Sequence, residues 1–64
     1  MDQQKIGTFL KQLRQEHQLT QENLAEIMCV TNRSVSRWEN GETTPNIETL
    51  KLLSKLFDVS INTL

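Results

Sequence analysis

Two segments with helical periodicity lie only two or three residues apart in this chain, and that spacing constrains the fold more than any other feature. One segment follows Thr20, an N-cap candidate, and the next begins near Thr31, another N-cap candidate. Only Cys29-Val30, with or without Thr31, therefore links them. Two helices joined this tightly cannot pack antiparallel and must cross at a steep angle.

Helical periodicity extends over the rest of the chain, and no strand-like alternation is visible. Gly41 to Pro45 forms the clearest loop, with Gly41 as the left-handed residue past a helix end. We predict an all-α fold of five short helices in a single domain, residues 1–64. The first predicted helix covers about Gln4–His17, with Ile6, Leu10, Leu13 and His17 toward the core, and the second follows Thr20, with Leu24, Ala25 and Met28 toward the core. The third runs from about Thr31 to Asn40 and buries Val35 and Trp38. The fourth begins at Asn46 and buries Ile47, Leu50, Leu53 and Phe57, and a final turn from Ser60 carries Ile61 and Leu64.

Composition excludes several classes of protein. One cysteine among 64 residues permits no internal disulfide, and one His with one Cys cannot form a structural zinc site. No Ser, Cys or carboxylate forms a recognisable catalytic arrangement with His17, so we expect no enzyme, cofactor or metal. No apolar run approaches a membrane span, and the N-terminus does not resemble a signal peptide. We expect a cytoplasmic domain with no membrane partner.

The charge balance at first argues against nucleic acid, because the net charge is −1 and the pI is about 5.7. The acidic excess, however, lies in residues 20–30 and 42–64. Residues 31–41 carry Arg33 and Arg37 against Glu39, and are therefore net positive. Glu39 needs a cationic partner, and Arg14 on the first helix is the best candidate.

The third helix has one polar face that points away from its buried side. At about 100° per residue, Val35 and Trp38 fall on the side of Thr31, and the opposite side holds only uncharged polar or basic side chains. These are Asn32, Arg33, Ser36, Arg37 and Asn40. Such a face alone is typical of solvated helix surface. Following a tight turn and a capped helix, it favours a surface that reads DNA bases, because Arg pairs with guanine and Asn with adenine.

The chain resembles the lambda-repressor/Cro-type (XRE-like) helix-turn-helix family over nearly its whole length. The resemblance is carried by Leu19-Thr20-Gln21-Glu22-Asn23-Leu24-Ala25 and by Ser34-Val35-Ser36-Arg37-Trp38-Glu39-Asn40-Gly41, with Val30-Thr31 between them and Pro45 after them. It implies a compact five-helix domain of a transcriptional regulator, expected to be a repressor. Such a domain binds palindromic double-stranded DNA as a homodimer, with the third helix in the major groove.

The resemblance also implies roles for individual residues. Asn32, Arg33 and Arg37 match base-contacting positions, and Ser36 is a weaker match. Gln21 and Asn40 match phosphate-contacting positions, and the loop residues Thr43 and Thr44 are expected to reach phosphate as well. Arg14 and Glu39 match a structural ion pair.

Some residues depart from the family pattern. Cys29 occupies a turn position where the family prefers glycine and where φ is often positive, so the turn is expected to be strained. Leu52 and Leu56 occupy positions that are usually polar, and they stack one turn apart on the outer side of the fourth helix. We predict that these two leucines, helped by Ile61 and Leu64, form a dimer patch; a different protein partner is the alternative.

Two other functional classes stay open from the sequence. The same fold could serve as a protein-binding module, such as an antitoxin or adaptor, and a small enzyme is the remote alternative. The sequence also leaves open whether the 64 residues are a whole protein or the N-terminal domain of a longer regulator.

Overall fold

The computed structural model describes residues 3–60, which form four α-helices and no strand. The helices are α1 (Gln3–Glu16), α2 (Gln21–Met28), α3 (Asn32–Glu39) and α4 (Ile47–Phe57). The predicted all-α class is therefore confirmed. The predicted fifth helix lies outside the described residues except for Ser60, which is not helical.

Side-chain caps fix where three of the helices begin. The Thr20 hydroxyl accepts a hydrogen bond from the Asn23 backbone N–H at 3.0 Å, and the Asn23 side chain accepts one in return from the Thr20 N–H at 3.1 Å. The Thr31 hydroxyl accepts from the Ser34 N–H at 3.1 Å. Both predicted N-caps are confirmed. Asn46, expected to begin the fourth helix, is its N-cap and accepts from the Thr49 N–H at 2.9 Å.

Residues in the left-handed region lie at or just past the end of each helix: Gln18, Cys29, Gly41 and Asp58. Cys29 has φ 57° at the end of α2, and Gly41 has φ 78° just past α3. The positive φ expected at both positions is confirmed. Because only glycine adopts this region without a Cβ penalty, Cys29 holds a conformation that costs about 1–2 kcal/mol. The surrounding hydrogen bonds, including Val30 N–H to Ala25 O at 3.0 Å, hold the turn in place.

Each helix contributes one fully buried side chain to a common core. Leu10, Leu24, Val35 and Leu53 come from α1, α2, α3 and α4, and each is 0% exposed. The remaining buried apolar residues surround these four: Ile6, Leu13, Ala25, Met28, Trp38, Leu50 and Phe57. Burial of such side chains, at about 1.5–3 kcal/mol each, is the main stabilisation available to a domain of this size.

Two core assignments made from periodicity are wrong. Ile47, expected to face the core with Leu50 and Leu53, is 59% exposed. It is the first residue of α4, and at about 100° per residue it lies well away from the direction of Leu53 and Phe57. His17 lies past the end of α1 and is exposed, although its ring centroid is 4.9 Å from that of Phe57.

α1 approaches the end of α3 more closely than any side chain would allow. A Cβ on Gly7 would lie 2.2 Å from the Trp38 carbonyl oxygen and 2.8 Å from that of Glu39. The absence of a side chain at Gly7 therefore allows α1 to support the C-terminal end of α3.

Candidate nucleic-acid interface

The outward face of α3 is exposed and polar. Asn32, Arg33, Arg37 and Asn40 are all exposed, and Ser36 is half-buried. Neither arginine side chain makes a hydrogen bond or ion pair with the described residues. Both guanidinium groups are therefore available to an acceptor from outside the domain.

The opposite side of α3 holds the helix against the body. Val35 is 0% exposed, Trp38 is 7% exposed, and Glu39 is 7% exposed. This division follows from periodicity, because residues three and four apart share one face. It leaves a single face of α3 to meet a ligand.

The chain after α3 turns back over the carbonyl end of the helix. The Gly41 N–H donates to the Trp38 carbonyl oxygen at 3.2 Å, and the Glu42 N–H donates to that of Arg37 at 2.9 Å. Thr43 and Thr44 follow, and both are exposed. The two threonines therefore lie in the turn that immediately follows the polar face.

Gln21 is the first residue of α2, and its side chain reaches the end of α3. Its Nε2 donates to Glu39 Oε1 at 3.1 Å, and the residue is half-buried. Gln21 was predicted from the family resemblance to contact phosphate, and this hydrogen bond was not predicted. No local signal could have indicated it, because the two residues are 18 positions apart.

Arg14 and Glu39 form an ion pair at the edge of the core. Arg14 Nε donates to Glu39 Oε2 at 2.6 Å and Arg14 Nη2 donates to Glu39 Oε1 at 3.1 Å, while the Glu39 side chain is 1% exposed. Arg14 Nη1 also donates to the Leu19 carbonyl oxygen at 2.7 Å. The pair thus ties α1, the segment before α2 and the end of α3 together.

The residues predicted to mediate dimerisation lie apart from the polar face of α3, on α4. Leu52 is 53% exposed and Leu56 is 37% exposed. Ile61 and Leu64, assigned to the same patch, lie outside the described residues. Gly7, for which no role was predicted, lies on α1 against the carbonyl groups of Trp38 and Glu39 at the end of α3.

The single histidine and the single cysteine of the chain lie at the ends of helices. His17 Nδ1 lies 2.9 Å from the Leu13 carbonyl oxygen at the end of α1, and Cys29 is an exposed free thiol in the turn. Among residues 3–60, no three His, Cys, Asp or Glu side chains are grouped so that they could hold a metal ion. No helix in that range is both long enough and apolar enough to cross a bilayer.

A short capped helix, a three-residue turn and a second helix with an exposed Arg/Asn face define a helix-turn-helix DNA-binding domain. Comparison with known families agrees, since the family described as "Helix-turn-helix" matches residues 10–64. The chain belongs to this family, in its lambda-repressor/Cro-type (XRE-like) form. Proteins of this family are DNA-binding transcription regulators rather than enzymes.

Three relatives illustrate the similarity. The HTH-type transcriptional activator BcrR of Enterococcus faecalis is 49% identical over 55 residues, which are 86% of this chain and 27% of that protein. Antitoxin PezA of Streptococcus pneumoniae is 38% identical over 86% of this chain and 35% of its own length. Repressor protein C2 of Salmonella phage P22 is 35% identical over 94% of this chain and 28% of its own length. The chain therefore spans about a quarter to a third of each of these relatives.

Proposed function

We propose that this domain binds a palindromic DNA operator as a homodimer, with α3 of each copy in the major groove of one half-site. The observation that carries the proposal is the exposed face of α3, where the side chains of Arg33 and Arg37 make no hydrogen bond or ion pair with the described residues. A guanidinium without a partner inside the domain can donate two hydrogen bonds to guanine O6 and N7. Asn32 on the same face suits adenine, and Ser36 can pair with several base edges.

Contacts to the DNA backbone would flank the base-reading face. In this proposal Gln21 and Asn40 donate to phosphate, and the exposed hydroxyl groups of Thr43 and Thr44 do the same from the loop. These donors are uncharged, and the net charge of the chain is −1. Because counterion release by cationic contacts supplies most non-specific affinity, a single copy would bind DNA weakly.

Dimerisation would offset that weak binding. A two-fold pair presents two recognition helices about 34 Å apart, which is one turn of DNA. The Cα positions of one copy extend over 25 × 24 × 21 Å, so two adjacent copies have dimensions that suit this spacing. We propose that the exposed Leu52 and Leu56 hold the two copies together.

We further propose that the regulator represses transcription by occupying its operator in the cytoplasm. Repression by occupancy requires only the DNA-binding face, whereas activation requires an additional contact with the transcription machinery. The names of the relatives include both a repressor and an activator. A reporter gene placed behind the selected operator tests whether the protein represses or activates transcription, since repression predicts higher expression of the reporter without the protein.

A second candidate is a domain that also binds a different protein, as an antitoxin does. It is favoured by the 38% identity to a protein named antitoxin and by the exposed leucine pair. In this alternative, Leu52 and Leu56 contact a different protein instead of a second copy. Sedimentation of the purified chain distinguishes a homodimer from a domain that binds a different protein through these leucines, because only the homodimer hypothesis predicts self-association.

Selection of bound duplexes from a random pool tests the main proposal. Purified protein should enrich an inverted repeat whose half-sites are centred about 10–10.5 base pairs apart. An Arg33→Ala, Arg37→Ala double variant is the matched control and should enrich no sequence. Failure of the parent protein to enrich any sequence, or enrichment of an unrepeated site, would contradict operator binding by a dimer.

A further inference from the structure

We infer that Glu39 is a positioning residue that orients the side-chain amide of Gln21 for the DNA backbone. The inference rests on the proposed phosphate contact of Gln21. It adds a buried residue that does not itself touch DNA and that fixes the nitrogen end of the Gln21 amide beside the end of α3.

The geometry at Glu39 leaves the Gln21 amide one favourable orientation. Gln21 Nε2 lies 3.1 Å from Glu39 Oε1, and the Glu39 side chain is 1% exposed. A carboxylate only accepts hydrogen bonds, so the nitrogen end of the amide must face it. The reversed amide would place two acceptor oxygens together in a buried site; Glu39 Oε1 would keep only its donor from Arg14 Nη2, and the Gln21 oxygen would face no donor there.

The orientation matters because a phosphate is also an acceptor. An amide nitrogen carries two N–H groups, and only one of them is used by Glu39. The second N–H is on the same nitrogen of a half-buried residue, where it is free to donate to a phosphate oxygen. A flipped amide would instead place its oxygen, an acceptor, at the position from which that second N–H donates. Glu39 therefore selects the donor end of Gln21 before DNA arrives.

Because Arg14 compensates its charge, the acidic residue Glu39 can orient Gln21 close to the DNA backbone. The Arg14 guanidinium donates to both Glu39 oxygens, at 2.6 and 3.1 Å, and compensates the negative charge that would otherwise repel phosphate. Glu39 is also the last residue of α3, whereas Gln21 is the first residue of α2. The hydrogen bond thus links the backbone contact directly to the end of the base-reading helix.

A double-mutant cycle on DNA affinity tests the inference. Gln21→Met keeps the length of the side chain and removes its amide, and it should weaken binding to operator and random duplexes alike by about three- to tenfold. Glu39→Gln replaces the carboxylate with a group that can face either end of the Gln21 amide, and it should weaken both duplexes by a similar factor. In the Gln21→Met background, Glu39→Gln should lower the melting temperature but cause no further loss of affinity. Glu16→Gln, the same change at an exposed position on α1, is the control and should alter neither property.

The possible outcomes are distinct. If the affinity losses of Gln21→Met and Glu39→Gln multiply, Glu39 acts only on the fold and the inference is wrong. If Gln21→Met binds as tightly as the parent, Gln21 makes no phosphate contact and the inference is also wrong. Failure of the parent to bind any DNA would instead contradict the proposed function itself.

A second measurement applies if Glu39→Gln does not fold. In the 15N-labelled parent protein, the side-chain resonances of Gln21 are assigned by their loss in Gln21→Met. One Nε2 proton should be protected from exchange in the free protein, and the other should shift when a random duplex is added. Loss of the protected proton on DNA binding, or no shift of either proton, would overturn the inference.

Discussion

Arg14 and Glu39 meet through two hydrogen bonds of 2.6 and 3.1 Å, although they are 25 positions apart in the sequence. The pair is buried, and among the described residues every buried side-chain nitrogen and oxygen has a partner. A buried ion pair with satisfied hydrogen bonds is tolerated, but one of its charges left alone is very unfavourable. The stability of the domain should therefore respond more to the loss of one partner than to the loss of both.

We expect Arg14→Met to destabilise the domain by about 3–5 kcal/mol, because it leaves the Glu39 carboxylate buried with no compensating charge. Urea unfolding followed by circular dichroism measures the change. Lys11→Met, at an exposed position on the same helix, should cost much less. The double variant Arg14→Met, Glu39→Leu should recover much of the lost stability. An Arg14→Met protein as stable as the parent would contradict a buried pair.

Gly7→Ala should lower stability by about 1–3 kcal/mol, although alanine is the better helix former. The new methyl group would lie 2.2 Å from the Trp38 carbonyl oxygen, so α1 and α3 would have to separate. Thermal unfolding compares it with Thr8→Ala, an exposed neighbour that should have little effect. A Gly7→Ala protein that melts above the parent would show that the contact can adjust without cost.

Arg37→Ala should weaken operator binding by about 1–3 kcal/mol and relax the preference at one guanine in each half-site. The affinity for random DNA should fall far less, because most of the lost interaction is with a base. Fluorescence anisotropy with operator, substituted operator and random duplexes measures all three affinities. Lys11→Ala, which removes an exposed charge from α1, is the control. Equal losses of affinity for operator and random DNA would mean that Arg37 contacts the DNA backbone and not a base.

Leu52→Glu should leave the fold intact and weaken both self-association and operator binding. The side chain is 53% exposed, and a two-fold interface places the new charge in the same patch on both copies. Ile47→Glu is the matched control, since Ile47 is 59% exposed on another side of the same helix. Sedimentation and anisotropy follow the two properties separately. A Leu52→Glu protein that forms a two-copy DNA complex at unchanged affinity would place the dimer interface elsewhere.

Much of the fold could be predicted from local patterns. The caps at Thr20 and Thr31, the left-handed Gly41 and the opposite faces of α3 follow from contacts within four residues or from single-residue conformational preferences. The positive φ of Cys29 was expected only from the family resemblance, because the conformational preference of cysteine is against it. Ile47 was misplaced because it lies at the edge of the apolar stripe, about 60–120° around the axis of α4 from Leu50, Leu53 and Phe57. Its position at the first turn of α4 leaves it in solvent.

By itself the sequence determined the four described helices, the tight turn between the second and third, and which side chains of α3 face outward. These features depend on hydrogen bonds and steric preferences within about one helical turn. Only the tertiary structure decided that Gly7 lies against the Trp38 carbonyl and that Gln21 donates to Glu39. These contacts join residues far apart in the sequence, so they exist only once the shared core has set the relative positions of the helices.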